Sequence, residues 1–326
     1  MRLALPLMTL LFTAGPALAR PAETPPKAAA PAPAPAPVST LRFAWPTPSR
    51  VTVTERVLKK GKSAVMRYDA VLSARQGGGY ELKIDKLQFL ELDGREVPKG
   101  ELPPELKAAT ALASAIPVLV LSKEGEVVDV VGFEQAMERA LAQVPEEQGM
   151  REQLRKVLSQ PAMAQAMKQK TSEFWNAWVG AWTGLELAVG HEATGPVPVQ
   201  LPAGPVDSMV TVRHRGPDAA LKGAVRLELE SVLEGEPFRK AMVGFVAQMV
   251  QAGGGQNKTP REFDAMLKSA RRVSKVEAVT DGATLRPYRV RMTQTTKLQV
   301  ENQEREQSEE HEYNFEWPAQ KAGKGR

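Results

Sequence analysis

Apolar and polar residues alternate along both ends of the chain. Over Arg50–Leu58, Val51, Val53 and Val57 fall on one side of a two-residue period, and Ser63–Ala74 and Tyr80–Leu92 also read as strands. Lys59-Lys60-Gly61-Lys62 and Gln76-Gly77-Gly78-Gly79 supply turns, so these strands form an antiparallel meander. Pro103-Pro104 opens a short helix over Glu105–Ser114. Val118–Ser122 and Glu126–Val131 flank Lys123-Glu124-Gly125 as a hairpin. The period then lengthens: Phe133–Gln143 brings Phe133, Met137, Ala140 and Leu141 to one helical face, and Gln148–Ser159 and Ala162–Leu187 continue the helical pattern around Pro161.

Gly195 to Pro205 is rich in Pro and Gly and is expected to be irregular. Strands resume at Met209–Arg215 and Ala224–Leu233. Pro237–Gln251 predicts a helix with Phe238, Met242, Phe245, Val246 and Met249 on one side. Pro260–Ala270 predicts another, with proline in the first turn, where its missing donor costs nothing. A second meander closes the pattern. Val273–Val279 turns at Asp281-Gly282 into Pro287–Val300, whose Tyr288, Val290, Met292, Leu298 and Val300 are all even-numbered. Glu310–Trp317 ends it, with Tyr313, Phe315 and Trp317 on one face.

Strand-rich ends around a helix-rich middle (133–187) predict one α+β domain over residues 41–317. One-sided alternation predicts a strongly curved antiparallel sheet or open barrel with one wet face. Helices would pack on or across its concave face, and the two meanders would share the sheet.

The residues ahead of this domain carry a different signal. Arg2, the apolar Leu3–Ala14 and the small residues of Ala17-Leu18-Ala19 form the three-part secretory pattern, so residues 1–19 are expected to be a signal peptide cleaved after Ala19. The apolar run is shorter than the roughly 20 residues needed to span a bilayer. Residues 20–40 are rich in Ala and Pro, ending in Pro31-Ala32-Pro33-Ala34-Pro35-Ala36-Pro37, and have no apolar face to bury. They read as a disordered, stiff spacer. Residues 318–326 read as a disordered basic tail. No later segment predicts a transmembrane helix, so a soluble periplasmic or secreted protein is expected.

Composition narrows the chemistry. The chain has no cysteine, which excludes thiol nucleophiles, disulfides and the lipid-anchored bacterial export route. The formal charge of +5 comes from 43 Lys+Arg against 38 Asp+Glu, distributed in local patches of both signs. Lys59, Lys60 and Lys62 cluster at one turn, and Arg213 and Arg215 line a strand. Glu301, Glu304, Glu306, Glu309 and Glu310 make an acidic hairpin tip, while Lys321, Lys324 and Arg326 lie in the tail. No single basic surface results, and no nucleic-acid partner is expected.

The segment that points furthest toward function is aromatic. Phe174 and Trp178 share a helical stripe, Trp175 and Trp182 lie beside it, and Met163 and Met167 extend it N-terminally. Such residues ordinarily form core. They also suit an adaptable apolar pocket, in which the helix would act as a lid over a lipid-like ligand. His191, His214 and His311 have no histidine neighbour at ligand spacing, and alternation sets His311 opposite in face to Glu310 and Glu312; no metal is expected. Gly253-Gly254-Gly255-Gln256-Asn257-Lys258-Thr259 departs from a phosphate loop, with Asn257 where Gly is required. No Gly-x-Ser-x-Gly elbow occurs. No cofactor and no catalytic residue is assigned.

Three stretches give the chain a family likeness: Leu121 to Val128, Phe174-Trp175 through Val189-Gly190-His191, and the closing alternating strands. In these it resembles a group of exported bacterial proteins carrying a domain of unknown function, which implies no activity and no site residue. Its expected layout is similar in architecture to lipoprotein-carrier and lipocalin-like half-barrels, an analogy that does not establish function. Three functions are consistent with these features. The first is a non-enzymatic envelope protein holding an apolar or amphipathic ligand between sheet and aromatic helix. The second is a structural or protein-interaction module with a filled core. The third, a hydrolase, lacks a local motif.

Overall fold

The computed structural model describes residues 39–98, 117–142, 152, 155, 168–169, 171–201, 204–252 and 260–318. The expected signal peptide, the spacer to residue 38, the helix at Glu105–Ser114, most of the 148–170 helical stretch and the tail beyond 318 lie outside them. Met163 and Met167 do too.

The N-terminal strands are β1 (Ser39–Thr40), β2 (Ser49–Lys59), β3 (Lys62–Ala74), β4 (Tyr80–Leu92), β5 (Arg95–Glu96), β6 (Val118–Leu121) and β7 (Val127–Val131). Helix α1 (Phe133–Ala142) follows. A helix over 171–175 runs into a π-helical turn at Asn176–Gly180; together they are α2. Then come β8 (Glu186–Leu187), β9 (Glu192–Leu201), β10 (Gly204–Pro217), β11 (Ala224–Leu233), α3 (Gly235–Ala252), α4 (Pro260–Met266), β12 (Leu267–Asp281), β13 (Pro287–Val300) and β14 (Gln303–Glu316). Among the described residues 58% lie in strands and 18% in helices, so the fold is mainly β rather than α+β.

One open antiparallel sheet runs in the order β7-β6-β4-β3-β2-β14-β13-β12-β11-β10-β9, with β5 beside β4. The two meanders share it. Each runs outward from the pairing of β2 with β14, where Val53 lies opposite Phe315 and Glu55 opposite Tyr313. Among the described residues this seam alone joins the first meander to the last within the sheet.

The inner face carries Val51 and Val53 of β2, Tyr68, Ala70 and Leu72 of β3, Val290 of β13, Val276 and Ala278 of β12, and Leu227 and Leu229 of β11, all buried. α2 and the segment Leu41–Trp45 pack on this face. Every second residue of that segment (Leu41, Phe43, Trp45) is buried, and Trp45 Nε1 donates to the Leu285 carbonyl at 3.0 Å. A second apolar cluster lies under α3, where Phe238 and Met242 meet Val199, Val206, Leu233 and Ala270. The outer face is charged and paired across strands: Arg50–Asp69 at 2.6 Å, Arg215–Glu228 at 2.7 Å, Arg291–Glu310 and Lys297–Glu306 at 2.9 Å. Such exposed pairs contribute about 0–1 kcal/mol each and serve mainly to keep that face wet.

Three local expectations need correction. The Pro/Gly-rich run at 195–205 is largely strand. β9 is the sheet's last strand, and Pro196 and Pro198 have the same parity, opposite Met209 and Asp207. Their missing N–H groups therefore fall on the unpaired edge, where proline is tolerated. The helix expected over Pro260–Ala270 stops at Met266, because Leu267 onward pairs with β13 and buries Ala270. The helix expected to reach Leu187 ends at Gly180, and Glu186–Leu187 pairs with β1 instead.

Candidate functional site

α2 lies on the inner face over β12 and β13. Trp175 and Trp178 of α2, and Trp182 in the turn just beyond it, are all 0% exposed. Trp175 Nε1 donates to the Gly125 carbonyl at 2.7 Å, and Trp182 Nε1 to the Ala177 carbonyl at 2.9 Å. Trp178 Nε1 is buried without an acceptor among the described residues. The Trp178 ring instead sits edge-on among Phe174 (4.8 Å between centroids), Phe315 (4.9 Å) and Tyr313 (5.4 Å). Trp175 packs the same way on Trp45 and Phe43. Phe174 is half-buried. The structure thus places Phe174, Trp175 and Trp178 together on α2 as ring-packed core, with Trp182 buried in the turn that follows.

Open space lies on another side of α2. Ala177 and Ala181 share with Leu229, Val276 and Met292 the lining of a groove of about 40 Å³, to which Glu173, Asn176, Ser274, Thr293 and Gln294 contribute polar groups. By that measure it has room for roughly three water molecules. The groove owes its existence to alanine at two helix positions one turn apart, where larger residues would close it. The π-helical turn widens the helix here: Ala181 N–H reaches back five residues to the Asn176 carbonyl at 2.9 Å. Single π-turns recur at functional sites.

A band of buried and half-buried polar residues crosses the inner face beside this groove, one or two per strand. Ser208 of β10 and Ser231 of β11 share a 2.6 Å hydrogen bond. Next come Arg272 of β12, Gln294 of β13, Glu309 and His311 of β14, Glu55 of β2 and Tyr68 of β3. The Arg272 guanidinium lies 5.4 Å over the Phe238 ring. Burial brings its pKa down to about 10, with the charge of Glu173 acting in the opposite sense. Registers make the band continuous: Ser274 lies opposite Gln294, and Gln294 opposite Glu309.

At the β2–β14 seam the band becomes a charged cluster. His311 Nδ1 lies 2.8 Å from Glu55 Oε1, and His311 Nε2 lies 2.9 Å from Glu309 Oε1. Glu309 also pairs with Lys59 at 2.7 Å. Tyr68 Oη donates to Glu55 at 3.0 Å, and the Glu55 charge also acts on the Tyr313 phenol. Burial, then the Glu55 charge, raises both phenols well above the usual tyrosine range, so both remain O–H donors.

Sequence reasoning missed this cluster. It placed Glu309 in an exposed acidic tip and Lys59 in a solvated turn; Glu309 is buried, and the two are paired. Glu310 lies on the opposite face from His311, bonded to Arg291, as alternation requires. The available signal was parity: Glu309, His311, Tyr313 and Phe315 are all odd. Partnership with Glu55, 256 positions away, left no local trace. Among the described residues no group of three or more His, Asp or Glu is arranged to hold a metal ion. His214 is buried, and its Nδ1 accepts from the Gly216 N–H at 3.1 Å. Among the described residues no helix is long and apolar enough to cross a membrane.

No family model matches the chain. No curated protein matches it. Among solved structures it is similar to lipovitellin, in a study of lipid–protein interactions, with a TM-score of 0.39 and 9% identity over 85% of this chain. The chain spans 26% of that protein's length. So loose a superposition carries no argument about this chain's ligands.

Proposed function

We propose that this chain is an exported binding protein, not an enzyme, and that it takes the apolar part of an amphipathic ligand into the groove between α2 and strands β11–β13. The observation that supports this most directly is the groove's division of labour. Its lining combines apolar Ala177, Ala181, Leu229, Val276 and Met292 with polar Glu173, Asn176, Ser274, Thr293 and Gln294. A chain end would lie against the apolar lining and a polar head against the polar residues, which is how small-molecule sites combine apolar lining with few polar groups. A cleft of about 40 Å³ is too small for a long acyl chain, so α2 would shift outward on binding. The aromatic residues then act as the fulcrum of α2, and the lining role moves from Trp178 and Trp182 to the alanine side. Export rests on Arg2, Leu3–Ala14 and Ala17-Leu18-Ala19.

The test is native mass spectrometry of protein purified from the periplasm, with organic extraction of bound material. A copurifying lipid-like mass that disappears in Ala181→Phe, a variant that fills the groove, supports the reading. A clean apo mass, with tryptophan fluorescence unmoved by added lysophospholipid, ends it. That outcome would favour a second reading, a protein-interaction module. The complete burial of Trp175, Trp178 and Trp182, with ring-to-ring packing of Trp175 and Trp178, favours that alternative.

A further inference from the structure

The Glu55–His311–Glu309 cluster has a property that core residues ordinarily lack: its geometry counts protons. Each imidazole nitrogen faces a carboxylate oxygen, at 2.8 and 2.9 Å. Each contact is a hydrogen bond only if a proton lies in it, so three groups must share two protons. A singly protonated imidazole between two carboxylates supplies one. The second contact would then set a nitrogen lone pair against a carboxylate in a site poor in water, which is repulsive. With both protons present, Lys59 and the imidazolium balance Glu55 and Glu309.

The cluster's place in the fold gives this count a consequence. Glu55 and Lys59 belong to β2; Glu309 and His311 belong to β14. We propose that these four residues form a proton-dependent clasp across the β2–β14 seam, and that loss of the second proton loosens this seam before the rest of the sheet. Among the described residues, the groups facing His311 are Glu55 and Lys59 of β2, Tyr68 of β3, Glu309 and Tyr313 of β14, and the uncharged Met292 and Gln294 of β13. Glu173 of α2 acts on Tyr313 from above. Both tyrosines stay protonated well above neutral pH, so the proton that leaves first as pH rises comes from the His311 contacts. The adjoining Gln294, which lines the groove, lies opposite Glu309 and connects the clasp to the polar band. This inference does not depend on the ligand reading.

Hydrogen exchange of the full exported chain, corrected for intrinsic rate, tests it between pH 6 and pH 9. The expected result is loss of protection concentrated in residues 52–59 and 309–316 as pH rises, by roughly tenfold or more relative to the β10–β11 pair. His311→Gln keeps two polar contacts but cannot carry the extra proton, and its seam protection should be low and independent of pH. If that variant does not fold, Lys59→Met, on a less buried side chain, should shift the seam's loss of protection toward higher pH, because losing a nearby positive charge makes the imidazolium proton harder to remove. Seam protection that is flat in the parent protein, or that falls equally across all strands, overturns the proposal. So does a His311→Gln seam with the parent's pH profile.

Discussion

Trp178 of α2 stands perpendicular to Phe315 of β14, with 4.9 Å between ring centroids. This contact sets the helix on the strand that joins the two halves of the sheet. Aromatic pairs of this geometry add about 0.5–1.5 kcal/mol beyond their burial. The same helix therefore anchors the core on one side and leaves a groove on the other.

The two tryptophans of α2, Trp175 and Trp178, should respond unequally to loss of the indole N–H. Trp178→Phe removes a donor that has no acceptor, whereas Trp175→Phe leaves the buried Gly125 carbonyl without its 2.7 Å bond. Trp178→Phe is expected to cost about 1–2 kcal/mol less than Trp175→Phe. Urea denaturation of both variants measures the difference, and equal costs would show that the orphaned N–H carries no penalty.

Gly125 is constrained twice. Its φ of +89° suits glycine, and a Cβ there would come within 2.5 Å of the Phe43 ring. Gly125→Ala should destabilise by about 2–5 kcal/mol, combining left-handed strain with overpacking. The change should also raise the near-ultraviolet exposure signal of Trp175, whose indole bonds to this residue. A thermal melt together with quenching of tryptophan fluorescence checks both.

Pro196 and Pro198 blunt the open edge of β9. Pro198→Thr restores a donor on that edge without touching the core, so stability should change by less than about 0.5 kcal/mol. Self-association should increase, because an unprotected edge pairs with other chains. Sedimentation velocity over a concentration series reads this out. A strictly monomeric variant would mean the prolines have no protective role.

His214 should give the protein an acid-side weakness. Burial holds its pKa below the usual imidazole value of 6.5, and its Nδ1 accepts a backbone N–H. A histidine with a depressed folded pKa contributes stability above the unfolded value. That contribution is lost as pH falls through the folded one. Stability should therefore decline below about pH 6.5 through this group, opposite in sense to the seam clasp. His214→Asn should flatten the acid limb of a urea-midpoint profile. An unchanged limb would assign the decline to other groups.

Much of the sheet was legible from alternation. Tyr80–Leu92, Ala224–Leu233 and Pro287–Val300 begin and end where the period-two pattern does, because a strand with one wet face must place every second residue in the core. The Asp281-Gly282 turn was equally local, with Asp281 Oδ1 accepting from the Ala283 and Thr284 N–H groups. Where the pattern misled, a neighbour decided. The prolines of β9 read as loop until its edge position is known, and Leu267–Ala270 reads as helix until β13 lies alongside.

The candidate site was less legible, for a physical reason. Helical spacing placed Phe174, Trp175, Trp178 and Trp182 together, but periodicity does not distinguish a packed ring from a pocket wall. The sequence by itself determined an alternating scaffold of two meanders, the aromatic character of the helix between them, and a chain without thiol chemistry. Only the tertiary structure decided which side of α2 is open, that β2 meets β14, and that Glu55, His311 and Glu309 share protons across that seam. Hydrogen bonds between residues 256 positions apart depend on register, and register is settled by the whole sheet burying one face at once.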